Sequence, residues 1–351
     1  NCIKQTVEKI ISYFQKPWII DSREFYITPS IGITIFPDDG SDSTTLLRNA
    51  DTAMYNAKES GKNSFRFYSH HMNIRIQQRL EMETNLRRAV RNGEFVLYYQ
   101  PQISLENGKI VGMEALVRWL QPGIGLIPPA NFIPVAEESG LIIPIGEWVL
   151  STVCSQAKRW YDMGFPPLNI AVNLSARQFQ QQNLIETITD TLNESGMDRR
   201  LLEIEITESM AMHNLDYSIQ VLQSLRKTGI KVSLDDFGTG YSSLNYLKQL
   251  PIDTLKIDQS FVRDIKKDSV KESIAKVVIQ LAHDLNLEVT AEGVETAEQL
   301  DFLKNQKCNK VQGFLFSKPL PVDALEALLR KNRQFMPPPS DCVCQHTSSL
   351  L

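Results

Sequence analysis

The sequence predicts an α/β chain whose main body is a TIM-like (β/α)8 barrel variant with an antiparallel first strand, preceded by a short α+β segment. Three observations carry this. Eight strand-like runs fall within residues 94–335: "FVLYYQPQI", "KIVGMEALVRW", "LNIAVNLS", "LLEIEIT", "IKVSLDDF", "DTLKIDQ", "LEVTAEGV" and "KVQGFLF". Most are separated by segments of helical length, the pattern of a mostly parallel sheet that eight strands can close. Only "SLENG" separates the first two, which is too short for a helix and makes that pair a hairpin.

The elements before the barrel follow in order. Residues 1–68 open with helical spacing, continue through "EFYITPSIGITIF" with strand character, and turn at "PDDGSD". An amphipathic helix then covers 43–59, with Lys58 and Lys62 flanking the stop at Gly61. "SFRFYS" reads as a short strand. A polar helix over about 70–92 carries Met72, Ile76 and Leu80 at four-residue spacing and stops at Gly93, so residues 69–93 connect to the barrel at 94–335. The final stretch, 336–351, is rich in Pro and Ser and reads as a disordered tail.

Composition narrows the function. The 351 residues are 42% apolar and 22% charged, ordinary for a globular chain, and the net charge of -4 argues against DNA binding by phosphate neutralisation. The five cysteines are odd in number and mostly isolated, which points to reduced thiols and a cytoplasmic setting. No run approaches the roughly 18 apolar residues of a membrane span. The chain starts without Met and directly in helical spacing, so it reads as an excerpt, with room for an upstream sensor or membrane anchor.

Barrel enzymes build their sites at the C-terminal strand ends. There the sequence places Glu114 and Arg118, Asn173, Glu205 and Glu208, Asp235 and Asp236, Lys256, Glu292 and Glu295, and Gln312. Oxygen donors dominate, with no His or Cys, which suits Mg²⁺ or Mn²⁺ better than zinc. Carboxylates gathered on one rim repel one another, and one or two dications are the natural remedy. Two metals bridged by a carboxylate form the clamp used in phosphodiester hydrolysis, with Asp235 and Asp236 as the candidate bridge.

The motifs "EALVRW", "NLS", "EITES", "DDFGTGYSSL", "LKID", "AEGVET" and "QGFLFSKPLP" occur in the order and approximate spacing of the EAL family of cyclic di-GMP phosphodiesterases, which the chain resembles over about residues 75–332. "SIGITIFPDDGSD" with "LLRNADTAMYNAKESGKNSFRFYS" resembles the C-terminal half of a GGDEF domain, but the signature Gly-Gly-Asp-Glu-Phe is absent, so this half is not expected to make cyclic di-GMP.

The resemblance implies two Mg²⁺ or Mn²⁺ ions. Glu114, Asn173, Glu205 and Asp235 would hold the first, and Asp235 would bridge to a second held by Asp236 and Glu292. Lys256 would contact the attacking water or the phosphate, and Gln312 would position water or metal. Gln100, Leu116 and Arg118 would contact the dinucleotide, together with Glu114, Asn173, Asp235 and Lys256. Glu208 would brace the loop over 237–240, and Glu295 would support the ligands from behind. The implied reaction is hydrolysis to linear pGpG by water activated on the metals. A homodimer through the helices after the fifth and sixth strands is also implied. Two alternatives stay open: a cyclic di-GMP receptor that does not hydrolyse, and an enzyme held inactive until an upstream domain signals.

Overall fold

The computed structural model describes residues 2–21, 23–59, 61–238, 244–265, 269–331 and 335. The chain divides into two compact units, residues 1–85 and 86–351. Gly240, Cys342, Cys344 and the tail over 336–351 lie outside the described residues.

In the first unit a helix, Cys2–Phe14, leads into β1 (Trp18–Ile20) and β2 (Arg23–Phe25), which pair antiparallel. β3 (Ser30–Ile33) and β4 (Ser64–Phe67) pair parallel, and the crossover between them is the helix Ser43–Glu59. Asp42 starts that helix by accepting from the Thr45 N–H at 2.9 Å. The helix lies so close to β3 that a Cβ on Gly32 would stand 1.9 Å from the Ala50 carbonyl oxygen. The sequence suggests one continuous strand through 24–36, but the structure breaks it in two. Pro29 in that run has no N–H for a ladder, and residues 26–29 take no regular structure.

The helix His70–Asn92 contains the division between the units. The second unit holds β5 (Phe95–Ser104), β6 (Ile110–Gln121), β7 (Gly125–Ile127), β8 (Asn169–Asn173), β9 (Leu202–Thr207), β10 (Lys231–Phe237), β11 (Thr254–Ile257), β12 (Glu288–Ala291), β13 (Lys310–Val311) and β14 (Leu320–Pro321). Eight of them close a barrel in the order β5-β6-β8-β9-β10-β11-β12-β13, with β13 returning to β5. β5 is antiparallel to both its barrel neighbours, as the short "SLENG" link requires. The remaining barrel pairs are parallel. β7 extends the β6 hairpin, and β14 pairs with the start of β5.

Period-two alternation sorts the side chains. In β9, Ile204 and Ile206 face the surrounding helices while Glu203 and Glu205 share the other face. In β11, Leu255 and Ile257 are fully buried outside and Lys256 points into the barrel. Around the shell, Trp119 is fully buried edge-on to Phe132 and donates its Nε1–H to Glu94 at 3.1 Å. The lumen is therefore polar along most of its length and the apolar core lies between strands and helices.

Candidate active site

The C-terminal strand ends converge on one ammonium. Lys256 Nζ lies 2.6 Å from Glu292, 2.8 Å from Glu205, 3.2 Å from Asp235 and 4.0 Å from Glu114. β6, β9, β10, β11 and the end of β12 each supply one of these groups, and their registers set the level at which they meet. Asn173 donates to Glu114 Oε1 at 2.6 Å, and Gln312 donates to Glu114 Oε2 at 2.5 Å. Gln312 also donates to Gln100 Oε1 at 3.1 Å, and Gln100 donates to the Ser317 carbonyl.

Asp236 follows Asp235 with a backbone φ of 55°, in the left-handed region. This is how two adjacent residues of one strand serve one end of the barrel: the strand stops alternating where the turn begins. The Asp236 N–H donates to its neighbour's Oδ1 at 2.9 Å. Glu208, at the first turn of the helix Glu208–His213, accepts from the Gly238 N–H at 2.8 Å.

A family model described as "EAL domain" matches residues 83–319, and one described as "Diguanylate cyclase, GGDEF domain" matches residues 1–64. The chain belongs to the EAL domain family. It is 48% identical over 321 residues to the "Signaling protein YkoW" of Bacillus subtilis, covering 92% of this chain and 40% of that protein. It is 44% identical over 326 residues to the "Cyclic di-GMP phosphodiesterase PdeR" of Escherichia coli, covering 93% of this chain and 49% of that protein. The chain thus spans less than half the length of these relatives. A solved structure titled "PaMucR Phosphodiesterase, c-di-GMP complex" superposes with a TM-score of 0.68 at 44% identity, covering 70% of this chain and 99% of that one.

Within this EAL unit the expected residues fall into two groups. Glu114, Asn173, Glu205, Asp235, Lys256, Glu292, Gln312 and Gln100 form one connected network, with Asp236 beside it. Arg118 and Leu116 lie further along the inward face of β6: Arg118 donates to the Val117 carbonyl and stacks 5.8 Å from the Tyr98 ring. Glu295 stands outside the network, in an exposed loop where its backbone N–H donates to Gln299 Oε1. Sequence reasoning missed Gln102, which donates to Gln312 Oε1 at 3.2 Å and is marked only by lying two residues beyond Gln100 on the same face.

Electrostatics follow from burial and charge. Burial alone pulls the Lys256 ammonium down, but Glu114, Glu205, Glu292 and Asp235 outweigh it and hold it well above the usual lysine range. Burial pushes the Glu205 carboxyl well up despite Lys256. Burial, partly offset by Lys256, pushes Glu292 up to about 8. Asp236 is raised by burial and by the charges of Asp235 and Asp258. Among the described residues, Lys256 thus faces more carboxylates than its single charge offsets.

Divalent cations fit this donor set. Glu205 Oε1 is buried without a hydrogen-bond partner, a vacant acceptor in a fully desolvated position. The donors are carboxylate and amide oxygens, the hard ligands that Mg²⁺ and Mn²⁺ prefer. Among the described residues no three acidic, imidazole or thiolate side chains are already drawn together as a ligand set, because the carboxylates are gathered on Lys256 instead.

Proposed function

We propose that the EAL unit hydrolyses cyclic di-GMP to linear pGpG, with two Mg²⁺ or Mn²⁺ ions as cofactors. The observation that carries this reading is the meeting of Glu205, Asp235 and Glu292 on Lys256 Nζ at 2.6–3.2 Å, with Glu114 held beside them by Asn173 and Gln312. The names of PdeR and of the MucR complex support the substrate.

Glu114, Asn173, Glu205 and Asp235 would hold one cation, and Asp235, Asp236 and Glu292 a second. The cations supply Lewis-acid activation of water and charge neutralisation at phosphorus. The chain's own groups do the rest. Lys256 stays protonated, so it serves as a donor and a positive charge beside the reacting oxygens, not as a base. Glu292, 2.6 Å from Lys256 Nζ, helps to hold that ammonium in place beside the site. Water oxygen bonds to one phosphorus, the bond to the 3′-oxygen breaks, and the proton released by water ends on that oxygen. Gln312 is fixed by Glu114, Gln100 and Gln102 and orients the water or the phosphate. Gln100, Leu116 and Arg118 line the approach on β5 and β6, where Arg118 offers the dinucleotide a guanidinium already stacked on Tyr98.

The unit boundaries we infer are a partial GGDEF segment over 1–68, a connecting helix over 69–93 and the EAL barrel over 94–335. A homodimer is part of the proposal, supported by the exposed apolar side chains of Tyr246, Ile274 and Val277 on the segments after β10 and β11. A cytoplasmic setting is in keeping with the buried, unpaired thiols of Cys154 and Cys308. Among the described residues no helix is long and apolar enough to cross a membrane.

The test is hydrolysis by the purified chain with Mg²⁺ or Mn²⁺, followed by chromatography, with Asp235→Asn as control. Formation of pGpG that the substitution abolishes supports the proposal. Cyclic di-GMP that is bound but left intact by the unsubstituted chain makes the protein a receptor and overturns it.

A further inference from the structure

The N-terminal end of the barrel carries the opposite charge. A cavity of about 720 Å³ opens there, walled by Lys231, Lys304, Lys307 and Lys310, with Glu106 and Glu288 as its acids. Lys231 stands at the start of β10, whose far end bears Asp235, so the two mouths lie roughly 13 Å apart along the strand. Lys310 is paired to Glu288 at 2.6 Å, which uses one acid and one base. Among the described residues, Lys304 and Lys307 make no ion pair, while Lys231 is near enough to Glu288 to help Lys310 hold that carboxyl below its usual range.

Four ammonium groups share this cavity with two carboxylates, so its wall keeps an excess of positive charge in a chain whose net charge is -4. The cavity is within the size range of small-molecule sites, and Ser104, Asn107 and Asn309 add neutral polar groups to its wall. Lys304 and Lys307 are exposed at the rim, Lys231 is half-buried, and a ligand entering between them meets cations at both depths.

We propose that this basal cavity is a second ligand site, separate from the carboxylate mouth, which binds a small phosphate-bearing anion. Lys304 and Lys307 capture the phosphate at the rim, Lys231 holds it from within, and Glu106 and Glu288 limit how much negative charge the site accepts. The inference does not depend on the reaction at the other mouth.

Isothermal titration of the full chain tests it, using inorganic phosphate, pyrophosphate and GMP as probes. EDTA is present throughout, so that the carboxylate mouth repels all three. The expected result is saturable one-site binding, weakened by about tenfold in Lys304→Glu/Lys307→Glu. Because both side chains are exposed, the melting temperature of that variant should match the unsubstituted chain. GMP binding tighter than phosphate assigns a nucleotide to the site, and equal affinities assign the phosphate group alone. No saturable uptake of any probe, or affinity unchanged by the charge reversal, overturns the proposal.

Discussion

The carboxylate of Glu208 accepts the backbone N–H of Gly238 at 2.8 Å, which ties the first turn after β9 to the first residue beyond β10. Glu208 is 2% exposed, so the bond is made out of water, and Gly238 has a φ of 97° that the contact helps to hold. Asp235 and Asp236 stand just before this anchor. The position of both acids therefore depends in part on Glu208, which is not among the carboxylates gathered on Lys256.

Glu208→Ala should leave the Gly238 N–H without its partner at a cost of about 1–3 kcal/mol. Turnover should fall by at least about tenfold, while cyclic di-GMP affinity changes little. Glu208→Gln keeps an acceptor oxygen and should restore most of the loss. Steady-state kinetics of both variants decide it; a Glu208→Gln enzyme as slow as Glu208→Ala counts against the anchoring role.

Lys256 concentrates the site's charge, so its removal acts on stability and on rate. In Lys256→Met the carboxylates of Glu205, Asp235 and Glu292 lose the only ammonium among the described residues that they share. Breaking a buried pair of this kind costs about 3–5 kcal/mol, and the metal-free variant should melt well below the unsubstituted chain. Added Mg²⁺ should recover more stability in the variant than in the parent, because it replaces the missing charge. The kcat should still fall by about a hundredfold or more, since the donor is gone. Thermal melts with and without Mg²⁺ check the first half and single-turnover kinetics the second.

Much of this site was legible because period two in a barrel strand is a strong code. "EIEIT" and "TLKI" place Glu205 and Lys256 in the lumen on alternation alone, and the short link after β5 dictates its antiparallel pairing. What the sequence hid is where alternation ends. Asp258 shares a strand face with Lys256 by spacing, yet the strand stops at Ile257 and Asp258 caps the next helix, accepting from the Ser260 N–H at 2.9 Å. Glu295 looks like a strand-end acid and is instead in an exposed loop three residues beyond Glu292. The β1–β2 hairpin gives no alternating pattern, because all six of its residues are exposed. The pairing of Lys256 with three carboxylates is a matter of register between strands far apart in sequence, which no local pattern encodes.

The buried carboxylates give the metal-free protein a defined pH response. Glu292 moves from an ordinary value of 4.5 in the unfolded chain to about 8 in the folded one, so between these values the folded state holds the extra proton. Stability must then fall as pH rises through that window. Glu205 and Asp236 are shifted in the same direction and add to the slope. Lys256, raised further, stays charged throughout and contributes no slope there. In EDTA the melting temperature should decline from about pH 5 to pH 8, and Glu292→Gln should flatten the curve. Saturating Mg²⁺ should flatten it as well, because bound cations keep the carboxylates ionised. A melting temperature in EDTA that rises across this window would contradict the assignment.

Gly238 tests how much freedom the turn after Asp236 requires. A Cβ built there would meet Phe261 Cε2 at 2.8 Å, and the φ of 97° disfavours any L side chain. Gly238→Ala must either push the Phe261 ring aside or rotate the backbone toward negative φ, which would pull its N–H away from Glu208. Either movement is local, because the preceding residue, Phe237, is buried and β10 keeps its ladder to β9. The cost to folding should be about 1–2 kcal/mol, seen as a modest drop in melting temperature. The cost to turnover should be larger in proportion, since the same displacement misplaces Asp235 and Asp236 by a fraction of an ångström. Adding Phe261→Leu clears the ring but does not change the φ preference. A double variant that regains turnover assigns the defect to the ring contact, and one that stays slow assigns it to the backbone angle and the Glu208 anchor.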